Sequence, residues 1–153
     1  MPGAGAGSAF QSIRAIDYTV IFARDMEAMR RFYEDVLGLR LHRELSADWI
    51  EYQIGPNTLT LARPRRTPTD ALLPAGSAAL QLAFRVSLEQ VDQCAEELRQ
   101  AGIALLSPPT DQPFGHRTLF FRDPDGNVLE MFAEIEARPD REKSPAPSAA
   151  ASL

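Results

Sequence analysis

A chain written twice has few folds open to it, and this chain is written twice. Its second half closes on Phe121-Arg122-Asp123-Pro124-Asp125-Gly126-Asn127-Val128-Leu129-Glu130-Met131-Phe132. Its first half closes on Tyr52-Gln53-Ile54-Gly55-Pro56-Asn57-Thr58-Leu59-Thr60-Leu61. Asn57 matches Asn127, Leu59 matches Leu129, and Thr60 falls where Glu130 stands. Matching halves imply two similar modules packed against each other, and a site built between them draws corresponding residues from each.

The pattern within each half is the same. Ile16 to Ala23 is apolar and β-branched, a strand signal. Asp25 follows as an N-cap, then Met26, Met29, Phe32, Tyr33, Val36 and Leu37 recur at helical spacing until Gly38 stops the helix. Leu39 to Glu44, Trp49 to Ile54 and Thr58 to Ala62 predict three more strands, the last two joined by the Gly55-Pro56-Asn57 turn. The order then restarts. Leu80 to Val86 is a strand, and Ser87 with Gln90 forms a capping box. Val91, Cys94, Ala95 and Leu98 make an apolar helical stripe that ends at Gly102. Ile103 to Leu106, Thr118 to Arg122 and Val128 to Ala133 are strands, with Asp125-Gly126 turning between the last two. Each half therefore predicts βαβββ. The fold class is α+β, with two such modules forming a curved mixed sheet around a cavity and the helices on the outer face. One domain is expected at 13–135, with modules of about 13–63 and 80–135 and a Pro/Arg/Thr-rich linker at 64–79, a solvated loop carrying Arg65 and Arg66 just after Arg63. Residues 1–12 and 136–153 are expected to be disordered tails, too small or too polar and broken to build a core.

Strand alternation separates the sheet faces. Leu80, Leu82, Phe84 and Val86 form a uniformly apolar face suited to packing under a helix, joined by Leu129 and Met131. Gln81, Ala83 and Arg85 lie on the opposite, mixed face with Val128, Glu130 and Phe132. By the repeat, Tyr18, Val20 and Phe22 take the places of Gln81, Ala83 and Arg85, and Thr58, Thr60 and Ala62 those of Val128, Glu130 and Phe132. A cavity lined by the mixed faces would present Tyr18, Thr60, Gln81 and Glu130, two per module. A concave, largely apolar pocket with few polar groups is the usual form of a small-molecule site.

Bulk properties exclude several functions. The net charge of -5 argues against non-specific binding to nucleic acid or an anionic membrane. No apolar run approaches the roughly 20 residues that span a bilayer. The Gly/Ala-rich start lacks the basic and apolar stretches of a signal peptide. The single cysteine, Cys94, allows no intrachain disulfide and fits a reducing cytoplasm, where the protein is expected; it reads as a core thiol.

The paired modules, the Phe32-Tyr33-x-x-Val36-Leu37-Gly38 helix end and the Asp123-Pro124-Asp125-Gly126-Asn127-x-x-Glu130 close resemble the vicinal oxygen chelate superfamily. That group includes glyoxalase I, fosfomycin and bleomycin resistance proteins and extradiol ring-cleaving dioxygenases. In its metal-dependent members His, Glu or Gln at the four derived positions hold a divalent metal. The resemblance places those positions on Tyr18, Thr60, Gln81 and Glu130, so only one carboxylate and one amide are retained. Zinc, nickel, iron and manganese sites are built from imidazole, carboxylate or thiolate donors. A neutral tyrosine must lose a proton of pKa near 10 to bind a metal well. No cofactor is therefore expected.

The function expected is binding of a small organic molecule in the sheet cavity without the usual metal, as the bleomycin-resistance-like branch implies. Contacts would come from Tyr18, Gln81, Arg85 and Glu130, with aromatic walls from Trp49, Tyr52 and Phe114. Glu130 is the candidate catalytic group, a carboxylate facing a partly apolar cavity. The alternative is a glyoxalase I-like lyase or a dioxygenase with an atypical metal site using Gln81 and Glu130; a third reading is a structural or regulatory domain. The resemblance also implies a homodimer. His116 reads as a surface-loop histidine, His42 as solvent-facing, and Asp123, Asp125 and Asn127 as a hairpin turn.

Overall fold

In the computed structural model, which describes residues 7–63, 74 and 80–136, each half adopts the βαβββ order. The first module contains β1 (Tyr18–Phe22), α1 (Met26–Arg31), β2 (Leu41–Ser46), β3 (Trp49–Ile54) and β4 (Asn57–Ala62). The second contains β5 (Gln81–Arg85), α2 (Leu88–Gln100), β6 (Leu105–Asp111), β7 (His116–Arg122) and β8 (Val128–Glu134). The linker at 64–79 lies outside the described residues apart from Pro74, as do residues 1–6 and 137–153 of the two tails. Within the first tail, Ala9–Ser12 forms a short exposed 3-10 turn. Among the described residues no helix is long and apolar enough to cross a membrane.

The α+β class holds, and the sheet is divided. Each module has its own four-stranded mixed sheet, ordered β1-β4-β3-β2 and β5-β8-β7-β6. The two sheets do not close into a barrel. The repeat extends to register. β1 runs parallel to β4 with Tyr18 opposite Thr58 and Val20 opposite Thr60. β5 runs parallel to β8 with Gln81 opposite Val128 and Ala83 opposite Glu130.

Three local differences from the expected elements have physical causes. β6 continues through Pro108 and Pro109, which are tolerated because it is an edge strand with shifted register. That longer partner extends β7 back to His116, where Gln112 N donates to His116 O at 2.7 Å. The first helix widens into a π-turn over Phe32–Val36, with Leu37 N donating to Phe32 O at 3.0 Å. Gly38 then leaves the helix at φ +66, a conformation that glycine adopts without strain. The helix starts follow the expected caps: Asp25 Oδ1 accepts from Ala28 N at 3.0 Å, and Gln90 Oε1 accepts from Ser87 N at 2.9 Å.

The helix-side faces form one continuous core across both modules, including Met29, Tyr33, Ile50 and Leu61 from the first and Val91, Leu119, Phe121 and Leu129 from the second. Phe32 meets Phe121 across the junction with ring centroids 6.3 Å apart. Polar contacts reinforce it. Tyr33 Oη donates to Asp123 Oδ2 at 2.7 Å, and Arg24 N donates to Asp125 Oδ2 at 2.9 Å. Asp123 also accepts from the backbone N–H groups of Asp125 and Asn127 and from the Asn127 amide. The Asp-Pro-Asp-Gly-Asn turn is thus a hairpin whose acceptors are spent inside the protein, and it fastens one module to the other.

Candidate functional site

Alternation along β5, β7 and β8 puts Gln81, Arg85, His116, Thr118, Glu130 and Phe132 on the face of the second sheet away from α2. There Gln81 Nε2 donates to Glu130 Oε2 at 3.4 Å. Burial raises the Glu130 carboxyl above its ordinary value, while the nearby His116 and the Gln81 hydrogen bond oppose that rise. Arg85 is exposed. Its Nη1 donates to Glu134 Oε1 at 2.8 Å, and its guanidinium carbon lies 4.8 Å from the centre of the Phe132 ring.

His116 is a correction to the sequence reading. It opens β7 rather than sitting in a loop, it is half-buried, and its ring stacks on Phe132 at 4.9 Å and 28°. Phe114, 41% exposed on the β6–β7 connection, meets His116 edge-on at 5.4 Å. Gln81, Arg85, Phe114, His116, Glu130 and Phe132 therefore form one cluster of polar and aromatic groups. The signal that could have found His116 is its parity with Thr118 on an extended β7. The prolines in β6 concealed that extension.

The first module contributes differently from expectation. Tyr52 does not line a ligand face. It alternates with Glu51, points to the helix side and is fully buried. Its ring stacks on Tyr33 at 6.3 Å and its hydroxyl donates to Glu34 Oε1 at 2.9 Å. Burial first, and Glu34 next, hold that phenol well above its ordinary value. Aromatic character suggested a wall; strand parity makes Tyr52 core. Trp49 is on the mixed face, half-buried, but its indole N–H is spent on Glu51 Oε1 at 2.8 Å. Arg43 binds the same carboxylate through Nε at 3.0 Å and Nη2 at 3.1 Å. These partners, Arg43 first and Trp49 second, hold the Glu51 carboxyl below its ordinary value. Sequence reasoning missed Glu51, although its parity with Trp49 pointed to the mixed face.

Tyr18 is 55% exposed on the edge strand β1, and Thr60 is fully buried between its strand partners Val20 and Glu51. The Thr60 hydroxyl has no hydrogen-bond partner among the described residues. No hydrogen bond, ion pair or ring contact among the described residues joins Tyr18 or Thr60 to Gln81 or Glu130, so the structure brings together two of the four derived positions. A cleft of about 470 Å³ opens at the module junction, lined in part by Asp17, Thr19, Thr58, Leu82 and Phe84. None of the four positions lines it. Cys94 is half-buried on α2, and burial raises its thiol above the ordinary value. His42 is exposed on β2, as expected.

At the four derived positions the donor set is sparse for a divalent metal, whose sites are built from imidazole, carboxylate or thiolate. The Glu130 carboxylate and the Gln81 amide come together with the His116 imidazole nearby, while the Tyr18 phenol is exposed and the Thr60 hydroxyl enclosed on the other sheet. No three His, Cys, Asp or Glu side chains among the described residues are grouped to hold a metal ion.

Comparison with known proteins bears on this arrangement. The chain is 27% identical over 128 residues to the uncharacterized protein YwkD of Bacillus subtilis (strain 168), covering 80% of this chain and 98% of that protein. It is similar to a glyoxalase/bleomycin resistance protein/dioxygenase from Nocardioides, with TM-score 0.71 and 27% identity over 87% of this chain and 91% of that one. It is also similar to lactoylglutathione lyase from Agrobacterium tumefaciens, with TM-score 0.65 and 25% identity over 78% of this chain and 92% of that one. The model of the Glyoxalase/Bleomycin resistance protein/Dioxygenase superfamily matches residues 15–131, and the chain belongs to that superfamily.

Proposed function

We propose that this protein binds a small organic molecule on the mixed face of its second module and does so without the metal of its lyase and dioxygenase relatives. The observation that carries this reading is the Gln81–Glu130 pair set beside the Phe132–His116–Phe114 aromatic surface. A few convergent polar groups against aromatic walls suit recognition of a flat ligand. Glu130 is the group we propose for any proton transfer, because burial favours its protonated form. Exposed Tyr18 and Phe22 on the edge strand β1 support a homodimer as part of the proposal.

The second reading, a metal-dependent lyase or dioxygenase, draws on the lactoylglutathione lyase likeness and on His116 standing near Glu130. Elemental analysis of protein purified without chelator or affinity-column metal, repeated after dialysis against zinc, nickel, manganese and iron(II), separates the two. The proposal expects no stoichiometric metal and a melting temperature raised by flat aromatic ligands. A stoichiometric metal lost in Glu130→Ala would overturn it.

A further inference from the structure

The charges on the two mixed faces are not balanced in the same way. In the first module Glu51 is held by the Arg43 fork and the Trp49 indole. In the second, Arg85 is already matched by Glu134. Arg117, on the helix side, is matched by Asp92 and Asp111. Glu130 stands apart. Among the described residues no arginine or lysine reaches it. Its hydrogen bond is the long one from the neutral Gln81 amide, and the imidazole of His116 lies nearby. It sits opposite the buried Phe120 on one side and Ala83 on the other. A carboxylate in such surroundings has lost water and gained little in return. The aromatic surface of His116 and Phe114 lies beside it.

We infer that the ligand is a flat organic cation, an aromatic amidinium or ammonium, with Glu130 as its counter-ion and the His116–Phe114 surface as its stacking wall. This rests on the reading that the second module's mixed face binds small organic molecules, and it names their charge. An anion would meet the Glu130 carboxylate without a free arginine to offset it, because Glu134 occupies Arg85. A neutral ring would stack but leave Glu130 uncompensated. A cation supplies the missing partner and gains from the electron-rich face of Phe114 as well.

The test uses the full chain and three probes of one shape: benzamidinium, benzamide and benzoate. Binding is followed by amide chemical shifts at Gln81, Glu130 and Phe132 and by the dissociation constants they yield. The expected order is benzamidinium tighter than benzamide by about tenfold, the ratio that 1.4 kcal/mol supplies, with benzoate weakest. Glu130→Gln is expected to remove the preference for benzamidinium over benzamide. Benzamide or benzoate binding at these residues as tightly as benzamidinium would overturn the inference and leave small-molecule binding standing. No shift at these residues with any probe would overturn both. The wild-type order decides the matter even where the variant fails to fold.

Discussion

Replacing Tyr33 with phenylalanine removes one oxygen from the module junction, and the structure sets the size of the effect. The Tyr33 hydroxyl donates to Asp123 Oδ2 at 2.7 Å, and Tyr33 is fully buried. Hydrogen bonds to charged groups contribute about 1.5–3 kcal/mol. Asp123 keeps three other donors after the change, so it is not left bare, and the expected loss is about 2 kcal/mol by the same scale. For a chain of this size that lowers the melting temperature by about 4–8 °C. Burial first, and the Asp123 carboxylate second, push the Tyr33 phenol far above its ordinary value, so the donor stays protonated through the alkaline range. The loss is therefore expected to be the same at pH 6 and pH 9. Urea unfolding of wild type, Tyr33→Phe, Asp123→Asn and the double variant measures it, with a coupling energy above about 0.5 kcal/mol expected for residues in direct contact. A loss below about 0.5 kcal/mol, or additive single variants, would refute the role assigned to this bond.

Two further predictions concern the carboxylates of the mixed faces. The folded Glu130 carboxyl lies above its ordinary value of 4.5, so its contribution to stability is present below that pH and is lost as pH rises through the folded value. Glu130→Gln is then expected to match wild type near pH 4 and to be the more stable protein at pH 7; thermal melts across that range check it, and a less stable variant at pH 7 would contradict the burial argument. Glu51 behaves in the opposite sense. Its folded carboxyl lies below 4.5, so its stabilisation is present above that pH and is lost as pH falls through the folded value. Glu51→Gln is expected to lower the melting temperature at pH 7 and to converge on wild type in acid. The same variant is expected to change the fluorescence of Trp49, the single tryptophan, whose indole N–H is held by Glu51.

The fold was legible because several signals agreed. Hydrophobic period, caps and turn residues gave the same element order twice, and agreement across levels is what makes a sequence specify one structure. The faces of β5 and β8 followed from alternation alone, and their register confirms the correspondence of Gln81 with Tyr18 and of Glu130 with Thr60. What was not legible depended on tertiary context. Pro108 and Pro109 ended a predicted strand that the edge position of β6 allows to continue, and that hid the start of β7 and the placement of His116. Division into two sheets is likewise a matter of how modules dock, which alternation within one strand does not encode.

The duplicated frame also explains why position alone does not transfer function between its halves. Thr60 and Glu130 occupy equivalent places, yet the first is sealed among strand neighbours and the second faces an open aromatic surface. The first module does keep a carboxylate on this face, one strand over at Glu51, but Arg43 and Trp49 satisfy it and so remove it from competition for a ligand. In the second module the carboxylate has an amide and an imidazole for neighbours and no arginine. A satisfied carboxylate stabilises the fold, whereas a desolvated one costs stability that a bound partner can return. That asymmetry, rather than the shared frame, is what directs the search for a ligand to Glu130.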